Sequence, residues 1–144
     1  MSTGLATASA SCRLSTEPGR GLLTMRGQHV VTDSPPLLGG PNEAPNPVEL
    51  LLAALAACAT FVCERAAQEL GIDLQAVTVT AAGDFDPRGV CGEDHDPRFQ
   101  GIRVRLGFDG PDAAQREQLL HAFRTRCPVL TTLSRAAPVE LTLA

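Results

Sequence analysis

The feature that most constrains this chain is the stretch from Asn46 to Gly71, which reads as one long helix with clear ends. Asn46 can cap, and Pro47 suits the first helical position because its missing N–H has no intrahelical partner to lose there. Glu49 falls at the third position and completes an Asn-x-x-Glu capping box. Leu50, Leu51 and Leu52 open an Ala-rich apolar run to Cys63; a polar stretch from Glu64 to Glu69 follows, with Gly71 as terminator. At helical rise the element is roughly 35 Å long. Its first half is apolar all round and is expected to be buried on several sides, whereas only the second half is amphipathic. The apolar run is shorter than the roughly 20 residues that span a bilayer. A core helix is therefore expected, with no membrane role.

A chain of 144 residues has room for one core, so a single domain over residues 1–144 is expected. Residues 4–14 alternate loosely as a strand, and Glu17 to Gly21 form a turn. Leu22–Arg26 and His29–Thr32 flank Gly27-Gln28 in the pattern of a tight hairpin. Residues 33–45, with four prolines and two adjacent glycines, form an extended loop into the helix. Ala76–Ala82 is a strand by alternation and β-branching; a polar loop from Asp84 to Phe99 and a half-solvated strand over Ile102–Phe108 follow. Asp112 to Arg126 reads as a second amphipathic helix, with Asp112 and Gln115 as its capping box and Leu119, Leu120 and Phe123 as its core stripe. Cys127-Pro128 ends or bends it in a turn, and Val139–Leu143 is a short alternating strand. This order predicts an α+β fold, a mainly antiparallel sheet packed on a long central helix.

Composition narrows the function. A net charge of −4, without a basic stripe or interleaved aromatics, speaks against nucleic-acid binding. With no Trp, no Tyr and five Phe, a ligand pocket is expected to be aliphatic, and the small aromatic payload favours a homodimer. Met1 to Ser11 carry neither a basic n-region nor an apolar h-region, so no secretory signal is expected. The five cysteines (12, 58, 63, 91 and 127) are then expected in a reducing cytoplasm, where a redox or metal role outweighs a disulfide framework.

Cys58 lies mid-helix, with Ala54, Leu55, Phe61 and Val62 at neighbouring helical positions. Read locally it is a small buried hydrophobe, too far from the helix N-terminus to feel its positive end. If it reacts, a cation from elsewhere must lower its pKa, and Arg13, Arg20 and Arg26 of the N-terminal strands are the candidates. Cys127 stands before Pro128 at a helix–turn junction, where backbone geometry fixes its direction. Cys63 is roughly 140° around the helix from Cys58, which rules out an easy bridge between them. Cys12 and Cys91 have no motif around them. Glu49 sits on the opposite helical face from Cys58, roughly 13 Å along the axis, so capping is its first reading and a bridging arginine the only link to the thiol. Glu93-Asp94-His95-Asp96 lacks ligand spacing and reads as a solvated acidic loop; no metal site or cofactor is expected. His29 and His121 have no partner at recognisable spacing.

His29-Val30-Val31-Thr32-Asp33-Ser34-Pro35-Pro36, Gly39-Gly40-Pro41-Asn42 and Pro45-Asn46-Pro47-Val48-Glu49-Leu50-Leu51-Leu52-Ala53-Ala54-Leu55-Ala56-Ala57-Cys58 together resemble the central signature of the OsmC/Ohr family. Cys127-Pro128-Val129 resembles its second signature, at a typical spacing of 69 residues (127 − 58), and the resemblance covers about residues 22 to 143. It implies an α+β OsmC-like fold in which two chains intertwine into a homodimer with active sites at the interface. It also implies reduction of organic hydroperoxides and, less well, hydrogen peroxide. Cys58 would be the peroxidatic cysteine, forming a sulfenic acid, and Cys127 the resolving one, closing a disulfide that an external dithiol reduces. Glu49, Arg20 and Arg26 are the implied supporting residues. In the organic hydroperoxide resistance branch a Glu follows the Asn-Pro directly. Here Val48 takes that place and Glu49 comes one residue later, as in the OsmC-like branch; Leu130 and Thr131 replace the His and Arg that often follow Cys-Pro-Val there.

Overall fold

Three antiparallel strands form in the N-terminal part of the chain: β1 (Ser11–Leu14), β2 (Arg20–Met25) and β3 (Gln28–Asp33), in the order β1-β2-β3. A computed structural model of the protein describes residues 4–143. Residues 1–3 and 144 of the expected single domain lie outside that range. The chain divides into one compact unit ending at Leu50 and another beginning at Leu51.

In the first unit the strand expected over residues 4–14 is confined to its last four residues, because Ser11 already pairs with Thr24 and only Met25 of β2 remains beyond it. The hairpin forms, with its turn one residue earlier than expected. Arg26 (φ 51°) and Gly27 (φ 78°) are the two loop residues, and Met25 pairs with Gln28. Positive φ at both positions is the type I′ geometry that matches strand twist. Arg26 therefore sits at an exposed turn tip and not in a strand.

The loop after β3 is anchored. Asp33, 1% exposed, accepts Arg20 Nε at 2.8 Å, Arg20 Nη2 at 2.9 Å and the Glu43 backbone N–H at 3.0 Å. The Thr32 hydroxyl donates to Pro45 O, and a single 3-10 turn forms at Pro36–Leu38. The Arg20 guanidinium holds the Asp33 carboxyl below its ordinary value of 3.8. A carboxyl whose pKa falls on folding stabilises the fold above its unfolded pKa, and that contribution disappears as pH drops through the folded one. Acid unfolding followed by circular dichroism should therefore show a component below about pH 4 that Asp33→Asn removes. Identical acid profiles for the two proteins would show that Asp33 carries no such role.

The helix α1 (Pro47–Leu70) begins and ends as its sequence dictates. Asn46 N–H donates to Glu49 Oε2 and Glu49 N–H to Asn46 Oδ1, each at 2.9 Å, closing the capping box. At the other end Gly71 takes φ 64° and Ile72 N–H donates to Ala67 O, the Schellman closure that a residue with a Cβ would strain.

In the second unit β4 (Ala76–Asp84) pairs along its whole length with β5 (Gly101–Asp109), from Ala76 opposite Asp109 to Asp84 opposite Gly101. The connecting loop contains a short helix, α2 (Pro87–Val90), capped by Asp86, which accepts Arg88 N–H. The helix α3 (Ala113–Arg126) starts at the expected Asp112–Gln115 capping box. A further helix, α4 (Pro128–Ser134), follows where only a turn was expected. The core joins Leu55, Ala59, Cys63, Ala66 and Ala67 of α1 to Leu119, Ala122 and Phe123 of α3, with Val79, Ala81, Ile102, Val104 and Leu106 packed against them from the hairpin. Alternation along β4 and β5 produces that inner face, since the intervening residues are exposed.

Further expectations need correction. The first half of α1 is not buried on several sides: Leu51, Ala53, Ala54 and Ala57 face outward, as does Phe61 just beyond it, 66% exposed. A two-stranded hairpin and one amphipathic helix present a single face, so only the stripe from Leu55 to Ala67 is covered. By length and composition α1 is apolar enough to cross a membrane, yet that stripe builds the core of the second unit. The strand expected at Val139–Leu143 does not form; Leu141 is 90% exposed, and no strand among the described residues pairs with it. Alternation specifies a face for a strand but supplies no partner.

The layout is α+β, with antiparallel sheets and one long helix, as expected. The strands form two sheets, one in each unit, where a single sheet was expected.

Candidate active site

Cys58 and Cys127 meet inside the second unit. The capping of α1 sets where its middle lies, and Cys58 stands there at the edge of the buried stripe, half-buried between Leu55 and Val62 on neighbouring turns. Cys127 is fully buried and serves two helices at once. It is the C-cap of α3, its N–H donating to Phe123 O, and the N-cap of α4. Its Sγ–H points to Cys58 Sγ at 2.7 Å. A sulfur–sulfur bond of about 2.05 Å lies only a small side-chain movement away.

The Cys-Pro-Val order has a local reason. Pro128 at the first position of α4 has no N–H, so the first free donors are Val129 and Leu130. Leu130 N–H donates to Cys127 Sγ at 3.3 Å, and Val129 N–H to the Cys58 sulfur. Both sulfurs thus face backbone donors at one helix start. A helix starts where a turn is expected, and its sequence signal is a capping residue followed by Pro, the same punctuation that opens α1.

Burial, followed by the contact with the Cys127 thiol, pushes Cys58 up to about 11, and the Val129 N–H opposes that rise. No cation among the described residues lowers it. Two arginines absent from the sequence-based candidates line the same cavity as Cys58, a space of 370 Å³ bounded also by Phe61, Val62 and Glu69. Arg65 is seven residues after Cys58 and so on the same helical face; Arg126 precedes Cys127. Both guanidiniums are engaged by Glu69, with Arg65 Nε at 2.8 Å from its carboxylate. The Arg126–Glu69 pair ties the end of α3 to α1 beside the thiols.

Each of the other candidates has its own local setting. The Glu49 carboxylate is used in the capping box. Arg20 is fixed by Asp33 and by Glu43, at 2.8 Å from each carboxylate, and Arg26 is at the hairpin tip. Cys63 is a core residue whose thiol points to Leu119 O at 3.7 Å, and burial pushes it up to about 11. Cys12 and Cys91 are exposed and free. In the acidic loop His95 lies 3.6 Å from Asp86, and no cluster of three ligating side chains occurs among the described residues.

A half-buried thiol and a fully buried one are thus in contact at a helix start, the first of them lining a cavity. The family model for OsmC-like protein matches residues 40–142, a span that contains both cysteines. The chain belongs to the OsmC-like family. An OsmC-like protein from Mycoplasma pneumoniae superposes with a TM-score of 0.76 at 16% identity, over 91% of this chain and 89% of that one. The organic hydroperoxide resistance protein OsmC from Legionella pneumophila has a TM-score of 0.69 at 22% identity, with 93% of each chain covered. For an organic hydroperoxide resistance protein from Elizabethkingia anophelis the values are 0.68 and 21%, over 94% of this chain and 92% of that one. These likenesses establish the OsmC-like fold. Among curated proteins, none matches the chain in sequence.

Proposed function

We propose that this OsmC-like protein, acting as a single domain, is a thiol-dependent peroxidase that reduces organic hydroperoxides, and hydrogen peroxide less well, in defence against oxidative stress. The observation that carries this reading is the 2.7 Å contact between Cys58 and Cys127. The Cys58 thiolate attacks one peroxide oxygen and the O–O bond breaks. The alkoxide leaves and takes a proton to become the alcohol, and Cys58 is left as sulfenic acid. The Cys127 thiol then attacks that sulfur, a disulfide forms and water departs. An external dithiol returns two electrons and two protons. The apolar lining by Phe61 and Val62 suits an alkyl tail better than hydrogen peroxide.

Arg20 and Arg26 are proposed as supporting cations on the family resemblance alone. Glu49 acts through the capping of α1. The outward apolar residues of α1, with Leu141 of the tail, favour an intertwined homodimer as the working form in the cytoplasm; sedimentation as a monomer at micromolar concentration would remove that part. A second reading is favoured by the burial of Cys58 and its contact with the Cys127 thiol, both of which push its pKa up and disfavour the thiolate. On that reading the pair is a slow, redox-sensing couple on a stress-associated protein that binds an apolar ligand.

Peptide mapping after one equivalent of cumene hydroperoxide decides whether the pair is redox-active. The expected product is a Cys58–Cys127 link; a lasting sulfenic acid, or a bridge through Cys12 or Cys91, contradicts the resolving role. Turnover with dithiothreitol or dihydrolipoamide then separates the two readings. The enzyme consumes many equivalents of peroxide within minutes, and the sensor stops after one.

A further inference from the structure

The second unit holds a larger cavity, of 490 Å³, between β5, α3 and α4. Val104, Leu106, Phe123 and Leu130 supply its apolar lining, and Arg124 and Arg135 line it as well. The chain contains no lysine, so its cations are 12 arginines. Arg20, Arg65, Arg88, Arg98, Arg103 and Arg126 each pair with a carboxylate. Arg124 and Arg135 have no acidic partner among the described residues, and they share this one aliphatic cavity. Two uncompensated guanidiniums beside an apolar pocket ask for a single anionic head on an apolar tail. The guanidinium fork fits a carboxylate in particular. The volume lies within the roughly 300–1,000 Å³ typical of small-molecule sites, and with no Trp or Tyr the lining favours an alkyl chain over a stacked ring.

We propose that this cavity is a ligand site, separate from the thiol cavity, that takes a medium- or long-chain alkyl carboxylate. The tail lies against Leu106, Phe123 and Leu130, and the carboxylate is held between Arg124 and Arg135. Leu130 connects the two sites, since its side chain lines this cavity while its N–H holds Cys127 Sγ.

Titration of the full chain with dansylaminoundecanoic acid, below its micellar concentration, tests the site, and the absence of Trp and Tyr leaves the dansyl emission free of overlap. Saturable binding at one probe per chain is expected, weakened about tenfold or more by the double variant Arg124→Gln/Arg135→Gln, in line with the loss of two charge-assisted contacts. The matching dansyl alcohol should bind as weakly to the wild type as the acid does to the double variant. Both arginines are exposed, so the variant should keep its circular dichroism spectrum. Absence of saturable binding, or equal binding by wild type and double variant, overturns the proposal. Peroxide takes no part in the assay, so its result is independent of the proposed thiol chemistry.

Discussion

Replacing Cys58 by Ser is expected to reduce hydroperoxide consumption by about a thousandfold or more, because the proposed nucleophile is lost. A serine hydroxyl is essentially never ionised near neutrality and cannot take up the peroxide oxygen as sulfenic acid. The exchange is nearly isosteric, and Cys58 lies at the edge of the buried stripe and not within it, so the fold should persist. The informative control is Cys63→Ser. Cys63 is five residues further along α1, fully buried, with its thiol pushed up to about 11 as that of Cys58 is. It touches Leu119 O and no cavity-lining thiol, so turnover per folded molecule should be unchanged. Cys127→Ser should behave differently again, completing one reduction and then stalling at the sulfenic acid. Coupled peroxide-consumption assays on the three variants distinguish these outcomes. Unchanged consumption by Cys58→Ser would remove the peroxidase reading altogether.

Leu119→Ala is expected to lower unfolding stability by about 3 kcal/mol, the usual consequence of removing a large buried aliphatic side chain that its surroundings cannot fully replace. Leu119 is completely buried between α3 and the α1 stripe. Leu120, the next residue, is only half-buried, so Leu120→Ala should cost about 1 kcal/mol. Urea unfolding of both variants measures the difference. A loss below about 1 kcal/mol for Leu119→Ala would mean that α3 is not packed on α1 as described. The consequence reaches the thiols, because α3 ends at Cys127 and its last carbonyl contacts orient that residue. Slower Cys58–Cys127 disulfide closure should therefore accompany the lost stability.

The elements read correctly from sequence are those whose causes are local. The α1 box joins Asn46 to Glu49 and the α3 box joins Asp112 to Gln115, each over three residues. Gly71 stops α1 through its own φ, and the alternation over Ile102–Phe108 needs only its neighbours to define a face. The hairpin turn was displaced by one residue because Arg26, and not Gln28, accepts the left-handed conformation beside Gly27. The strand expected at Val139–Leu143 failed for a different reason: a strand exists only with a partner, and its own residues do not provide one.

By itself, then, the sequence determined the ends of α1 and the start of α3, the first hairpin to within one residue, the α+β layout and the two cysteines worth attention. Only the tertiary structure decided that Cys58 and Cys127, 69 residues apart, stand 2.7 Å from each other. It also decided that Arg65 and Arg126 share the cavity of Cys58 under the hold of Glu69, and that Leu51, Ala53, Ala54 and Ala57 in the first half of α1 face outward. The physical reason is range. Capping, turn geometry and alternation act over a few residues and are legible along the chain, whereas burial, pairing and the pKa of a thiol depend on what packing brings from elsewhere.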